Sequence, residues 1–233
     1  MISEEFLKER LEFLHDQIQQ AIVSSGRDKK SVKLIAISKF HPVKTIVNVF
    51  NYGQKAFGEN YVQEAIYKQS ELSGLPIEWH FTGRLQTNKI KNVVGQFEYI
   101  HTIDSIKLAK LLSSRLPEDG PSQKILLQVN IGDEPQKAGI TVAELPFLAE
   151  TILSLPKLKL CGLMCLPPIT HKGKVVSCYF TKLRELRDRL EVLLDITLPE
   201  LSMGMSNDYI QAIKEGATLI RIGTSIFGHR LNN

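Results

Sequence analysis

The sequence has no apolar run long enough to cross a bilayer, which takes about 20 residues. Its longest apolar stretches are short and strand-like. The N-terminus opens with Glu4, Glu5, Lys8, Glu9 and Arg10, not with a basic segment followed by an apolar one. It therefore does not read as a secretory leader. Cysteine is scarce: Cys161, Cys165 and Cys178 are the only three in 233 residues. A small, odd number argues against a disulfide framework and for a reducing cytoplasm. Cys161 and Cys165 lack the second pair or histidine cluster that a zinc site needs. A concentrated basic stripe is missing too. The formal net charge is +4, with Lys and Arg interleaved among acids. That pattern does not suit a nucleic-acid binder, but a slight positive excess suits an anionic small ligand. No Pro/Gly/Ser-rich linker divides the chain. At 43% hydrophobic and 23% charged residues, it has the composition of a single globular domain, expected to span 1–233.

What is present is a strict alternation. An amphipathic helix comes first, with Leu7, Leu11, Leu14, Ile18 and Ile22 at spacings of three and four. Ser24, Ser25 and Gly26 end it. Short apolar runs then alternate with helical patterns. The strands are expected at Val32–Ser38, Ala56–Gly58, Ile77–Thr82, Tyr99–Ile103, Ile125–Val129, Leu158–Cys165, Leu201–Met205 and Thr218–Ile222. The helices between them are expected to run through Ile46, Val47 and Phe50, then at Tyr61–Leu72, Thr87–Val94, Ser105–Leu116, Val142–Leu155, Lys174–Leu194 and Asn207–Glu215. Eight β–α units in a chain of this length match a closed parallel (β/α)₈ barrel, here with an extra N-terminal helix. An open doubly wound sheet is the competing architecture. It would carry a glycine-rich phosphate turn after its first strand. A lysine stands there instead.

Barrels gather their functional groups where strands end. Four such stretches stand out. In Ile37-Ser38-Lys39-Phe40-His41-Pro42, Lys39 shares strand parity with Ile35 and Ile37, so it points into the barrel if they do. Burial favours the neutral amine, the form that attacks an aldehyde to make a Schiff base. Lys39 is otherwise a plain lysine marking a strand end. In Phe57-Gly58-Glu59-Asn60-Tyr61, Gly58 permits close approach, and Asn60 either contacts a ligand or caps the next helix. The stretch from His80 to Lys89 is unusually polar. His80 reads as a core histidine satisfied by backbone, and Asn88, Lys89 and Lys91 as an exposed helix start. The last two strand ends, Leu201–Asp208 and Arg221–Gly228, have the makings of a phosphate site. Ser206 and Thr224 offer hydroxyls and Gly223 a backbone N–H, unless they serve only as turns and caps. Asp208 reads as a helix N-terminal carboxylate.

Together these groups describe a ligand with an aldehyde for Lys39 and a phosphate for the last two loops. Pyridoxal 5′-phosphate (PLP) carries both. Its pyridine nitrogen needs a partner, and Arg221 is within reach. An arginine does not readily give up a proton, so it would leave that nitrogen unprotonated and weaken the cofactor as an electron sink.

The same residues carry a resemblance along nearly the whole chain. Ile37-Ser38-Lys39, Phe57-Gly58-Glu59-Asn60-Tyr61, His80-Phe81 with Gly83, Leu85-Gln86, Asn88-Lys89, Gly162-Leu163-Met164, Leu201–Ser206, and Arg221-Ile222-Gly223-Thr224 with Ile226-Phe227-Gly228 occur in the order of one family. The sequence is similar to the pyridoxal phosphate homeostasis protein family, whose fold resembles the N-terminal barrel of alanine racemase. The resemblance implies a PLP-binding protein acting in vitamin B6 and amino-acid homeostasis, without established turnover. It implies Lys39 as the cofactor lysine, Ser206, Gly223 and Thr224 as phosphate contacts, Arg221 as the pyridine-side arginine, and Asn60 as a neighbour of the cofactor. At Phe40-His41 and Arg84 many members differ, so no role is carried over to those positions.

Two function classes follow: a PLP carrier, and a PLP enzyme such as a racemase. A racemase needs an acid/base group on each face of the substrate carbon. Relatives of that fold draw the second from a separate C-terminal domain. Here the chain stops within about ten residues of the eighth strand. The expectation is a non-catalytic carrier, monomeric, whose partners are PLP and apo forms of PLP-dependent enzymes. On the residues alone, a lysine Schiff-base aldolase is a third candidate.

Overall fold

The structure is a computed structural model and describes residues 4–168 and 173–228. Eight parallel strands close into a barrel in simple sequential order, β1 pairing with both β2 and β8. The strands are β1 (Lys33–Ile37), β2 (Ala56–Glu59), β3 (Glu78–Phe81), β4 (Tyr99–Ile103), β5 (Gln123–Val129), β6 (Leu158–Cys165), β7 (Glu200–Ser202) and β8 (Leu219–Ile222). The helices are α1 (Glu4–Ser24), α2 (Val43–Asn51), α3 (Val62–Glu71), α4 (Ile106–Arg115), α5 (Leu145–Leu153), α6 (Gly173–Leu194), α7 (Tyr209–Lys214) and α8 (Thr224–Phe227). A 3₁₀ helix, Thr87–Asn92, follows β3. Among the described residues no helix is long and apolar enough to cross a membrane.

The strand period of two explains the layering. Leu34 and Ala36 of β1 join Phe57, Trp79, Phe81, Ile100, Leu127, Leu163, Ile220 and Ile222 in the large core between sheet and helices. The alternate residues, Ile35, Ala56, Tyr99, Leu126, Met164 and Leu219, form a separate cluster inside the barrel. Ile37 packs against that inner cluster. The parity argument for Lys39 therefore applies, because Ile35 and Ile37 both face inward. Helix α1 buries Leu7, Leu11, Leu14, Ile18 and Ile22 and lies against α7 and α8. Beyond it, Arg27 Nη1 donates to the carbonyls of Ile213 and Ala217, both at 2.8 Å, which pins the end of α7.

Beyond shifts of one or two residues at element ends, four departures from the expected elements have a visible cause. The segment after β3 has only Ile90 buried, too little apolar surface for a packed α-helix, and its bonds run from Lys89 N to Gln86 O and from Val93 N to Ile90 O. Strand β7 ends at Ser202 because the chain turns out of the sheet at Gly204, where φ is +93°. A Cβ at Gly204 would stand 2.6 Å from the Ala212 Cβ. Helix α5 begins at Leu145 rather than Val142: the Thr141 hydroxyl accepts from Glu144 N at 3.3 Å and donates to the Glu144 carboxylate at 2.6 Å, so those residues form a turn. The residues after Gly223, read as a turn, form the single helical turn of α8.

Candidate functional site

The C-terminal ends of the strands surround a cavity of about 820 Å³, within the usual range for small-molecule sites. Lys39, Asn60, Ser206, Arg221, Gly223 and Thr224 all line it. The fold brings these six together from the turns after β1 and β2, the β7–α7 loop, and β8 with the start of α8, segments far apart in the chain.

Lys39 sits on a four-residue turn. Ser38 N donates to Gly58 O at 3.0 Å, which continues the β1–β2 ladder, and His41 N donates back to Ser38 O at 3.0 Å. Phe40, the third residue of that turn, has φ +65°. Type II turns require a positive φ there and favour glycine. Lys39 is half-buried at the cavity edge. Gly58 faces the barrel interior below it, where a Cβ would meet Ile37 Cδ1 at 2.5 Å. Asn60 does not cap α3, whose N-cap residue is Tyr61. Its Oδ1 instead accepts from the Thr82 hydroxyl at 2.9 Å, across from β3.

On the opposite wall, the loops after β7 and β8 meet. Ser206 Oγ accepts from Ser225 N at 3.4 Å. Gly223 lies against the end of β1, and a Cβ there would be 3.3 Å from Ile37 O. Arg10 also lines this side of the cavity and donates to Thr224 O at 2.9 Å from helix α1. Asp208 occupies the N-cap position of α7 but makes no cap bond to the helix. Its Oδ1 accepts from Met205 N at 2.6 Å and so closes the β7–α7 loop, while burial pushes its carboxyl above the usual range.

Arg221 is 4% exposed and points into the barrel, two residues on from inward-facing Leu219. Its Nη1 donates to Ser202 Oγ at 2.6 Å and its Nη2 to Cys165 O at 2.9 Å. From Ser202 a chain of bonds crosses the interior. Ser202 Oγ is 2.8 Å from His101 Nδ1, and His101 Nε2 is 2.9 Å from His80 Nδ1. His80 Nε2 is 2.9 Å from Glu78 Oε1, which also accepts from Lys33 Nζ at 2.5 Å.

Both ends of this chain dictate its proton order. Burial lowers the pKa of His80 and holds His101 well below the ordinary imidazole value, so both are neutral. The hydrogen bond from His80 holds the Glu78 carboxyl down at about 2, so it is ionised and can only accept. His80 therefore carries its proton on Nε2, and its Nδ1 accepts from His101 Nε2–H. His101 Nδ1 then accepts from the Ser202 hydroxyl, leaving the serine oxygen to accept from Arg221. Donation thus runs one way, from the arginine to the carboxylate, and every ring nitrogen is satisfied.

Several of these residues lay outside the sequence reading. His80 is a core histidine, but its partners are side chains and not backbone. His101, Ser202 and Arg10 are not among the site residues that the sequence singles out. For His101 the available signal was parity with Tyr99 on an inward face, where apolar residues are usual. Asn88 does not reach the mouth cavity. It lines a separate cavity with Arg84, Asp104 and Ser105.

Comparison with known proteins sets this geometry among relatives. Residues 16–231 match the family model described as alanine racemase, N-terminal domain. A protein of Aquifex aeolicus named pyridoxal phosphate homeostasis protein is 44% identical over 95% of this chain and 97% of its own. A protein of the same name from Pseudomonas aeruginosa is 43% identical over 92% and 91%. Among solved structures, PipY of Synechococcus elongatus with PLP bound is 39% identical and superposes with a TM-score of 0.81, covering 91% of this chain and all of that one. Alanine racemase of Corynebacterium glutamicum, at 14% identity and TM-score 0.68, shares the fold. The chain belongs to the pyridoxal phosphate homeostasis protein family.

Proposed function

We propose that this protein holds PLP at the barrel mouth and serves intracellular PLP and amino-acid homeostasis as a carrier without turnover. The observation that carries the reading is the convergence of Lys39, Ser206, Thr224 and Arg221 on one cavity. The donor set fits the cofactor at three points: an amine, a pair of hydroxyls beside backbone N–H groups, and a guanidinium. When bound, PLP supplies an aldehyde carbon to which an amine nitrogen adds, with loss of water, to give a carbon–nitrogen double bond. Lys39 is the amine in this proposal. Ser206, Gly223 and Thr224 bind the phosphate, and Arg10 adds positive charge on the same wall. Arg221 orients the pyridine end. Its two bonds to Ser202 and Cys165 O hold the guanidinium plane, and it keeps its protons at neutral pH. Asn60 positions the ring edge.

Three features support a carrier over a racemase-type enzyme. The curated relatives are named for homeostasis. Among the described residues lining the cavity, the carboxylate is Asp208, and no histidine, tyrosine or cysteine stands with it. Asp208 Oδ1 is already engaged by Met205 N. Among the described residues, a second acid/base for racemisation is therefore not at hand. Cofactor exchange with apo-enzymes and residence in a reducing cytoplasm belong to the same proposal, the latter in keeping with the free cysteines Cys161, Cys165 and Cys178.

The test is spectroscopic. Purified protein with PLP is expected to be yellow and to lose that visible absorbance in Lys39→Ala, and an unchanged spectrum would sink the assignment. Incubation with single enantiomers of common amino acids is expected to leave chirality intact, whereas rapid racemisation would turn the carrier into an enzyme.

A further inference from the structure

A buried ionic cluster lies directly behind Lys39, on the outer side of β1 and β2. Lys68 of α3 is 2% exposed and Glu59 of β2 is 0% exposed. The Lys68 ammonium spends its three hydrogens on Glu59 Oε1, Glu64 Oε1 and Ser38 O, each at 2.7 Å. The same carboxylates take two further bonds from the Lys39 turn. Glu59 Oε1 accepts from Ser38 Oγ at 2.7 Å, and Glu64 Oε1 accepts from Phe40 N at 2.5 Å. Removing these charges from water is expensive, and the second oxygen of Glu59 has no hydrogen-bond partner.

The pattern of bonds suggests what the cluster does. Ser38 O belongs to the peptide group before Lys39, and Phe40 N to the peptide group after it. Each is held by the cluster, so both peptide planes flanking Lys39 are fixed. Directly after the second plane the turn places Phe40 at φ +65°, a conformation phenylalanine adopts only at a cost in backbone energy. Such strain persists where surrounding bonds over-determine it.

We propose that Lys68, acting through Glu64, is a positioning residue: it locks the strained Ser38–His41 turn so that the Lys39 side chain is presented to the cavity. This rests on the reading of Lys39 as the amine that condenses with the aldehyde. Neither Lys68 nor Glu64 lines the cavity, so their effect is on geometry alone.

The experiment compares two ligands on three variants. The rate of covalent adduct formation is measured with PLP. Affinity is measured with pyridoxamine 5′-phosphate, which has the ring and phosphate but no aldehyde. Lys68→Met is expected to slow adduct formation roughly 10- to 100-fold, the scale of about 1 Å of misplacement, while affinity for the amine analogue changes less than about threefold. Adding Phe40→Gly to Lys68→Met relieves the backbone strain and is expected to recover most of the rate. Glu64→Ala removes only the acceptor for Phe40 N and one of the three Lys68 bonds. It tests the same point with the Lys68–Glu59 pair in place, should Lys68→Met fail to fold. Unchanged adduct rates in these variants, or equal loss of both ligands without rescue by glycine, would overturn the positioning role while leaving the Lys39 reading intact. Trapping of the wild-type adduct on another lysine would remove both.

Discussion

Replacing His101 by leucine breaks the chain of bonds inside the barrel at its midpoint, and the cost follows from the proton order. His101 is fully buried and uses both ring nitrogens, Nδ1 with Ser202 Oγ and Nε2 with His80 Nδ1. Leucine is close in size and offers neither. His80 cannot reverse its tautomer to compensate, because the Glu78 carboxylate at 2.9 Å requires a donor on Nε2. His80 Nδ1 is left as a buried acceptor without a partner, and the Ser202 hydroxyl loses its acceptor. At about 1–3 kcal/mol for each of the two orphaned groups, the variant should be destabilised by about 2–6 kcal/mol. For a chain of this size that is a fall of roughly 4–24 °C in Tm. Calorimetry or a denaturant titration at pH 7 measures it. His80→Phe in the same background should cost less than the sum of the single changes, since the two residues share one network. A His101→Leu protein that melts within about 2 °C of wild type would refute the proton order and the role given to the chain.

Other consequences can be checked in parallel. With burial lowering His80 and holding His101 well below the ordinary imidazole value, the unfolded chain takes up protons below about pH 6.5 more readily than the folded one. Stability should therefore fall with pH there, with a slope approaching about 1.4 kcal/mol per pH unit from His101 and a contribution of the same sign from His80, and His101→Leu should flatten the curve in Tm measurements. Glu78, held near 2 in the fold, adds a loss in the same direction once the pH drops below its unfolded value; Glu78→Gln should remove that acid component. Ser206→Ala with Thr224→Ala should raise the PLP off-rate at least about tenfold, from two lost hydrogen bonds to a charged group; matching off-rates would move the phosphate elsewhere. Arg10→Met should weaken PLP about two- to fivefold, the worth of an exposed ion pair, and leave unphosphorylated pyridoxal unaffected in equilibrium titration.

The parts of the account that were legible in the sequence are those carried by local pattern. Alternating apolar runs and helical stripes led to the barrel. The parity of Ile35, Ile37 and Lys39 pointed the lysine toward the inner face, where Ile35 is buried and Ile37 packs against the same cluster. Ser206, Gly223 and Thr224 were legible because they follow the last two strands, where barrels often build a phosphate site from hydroxyls and backbone N–H groups. What escaped notice depends on contacts between distant segments. His101 of β4 and Ser202 of β7 meet only across the closed barrel, and an isolated histidine in a strand says nothing of its partner. Lys68 reads as one more charged residue on an amphipathic helix. Only the packing of α3 against β2 shows that it is buried and bonded to the Ser38 carbonyl. The early end of β7 followed from the left-handed φ of Gly204, which a run such as Leu201–Met205 does not announce.

The central claim is that Lys39 is the residue that binds the cofactor covalently. Borohydride reduction of the PLP-loaded protein, followed by peptide mass spectrometry, tests it most directly because it fixes the adduct where it forms. The account predicts a single phosphopyridoxyl adduct, on Lys39. An adduct on any other lysine, or none on an intact and folded protein, would contradict it.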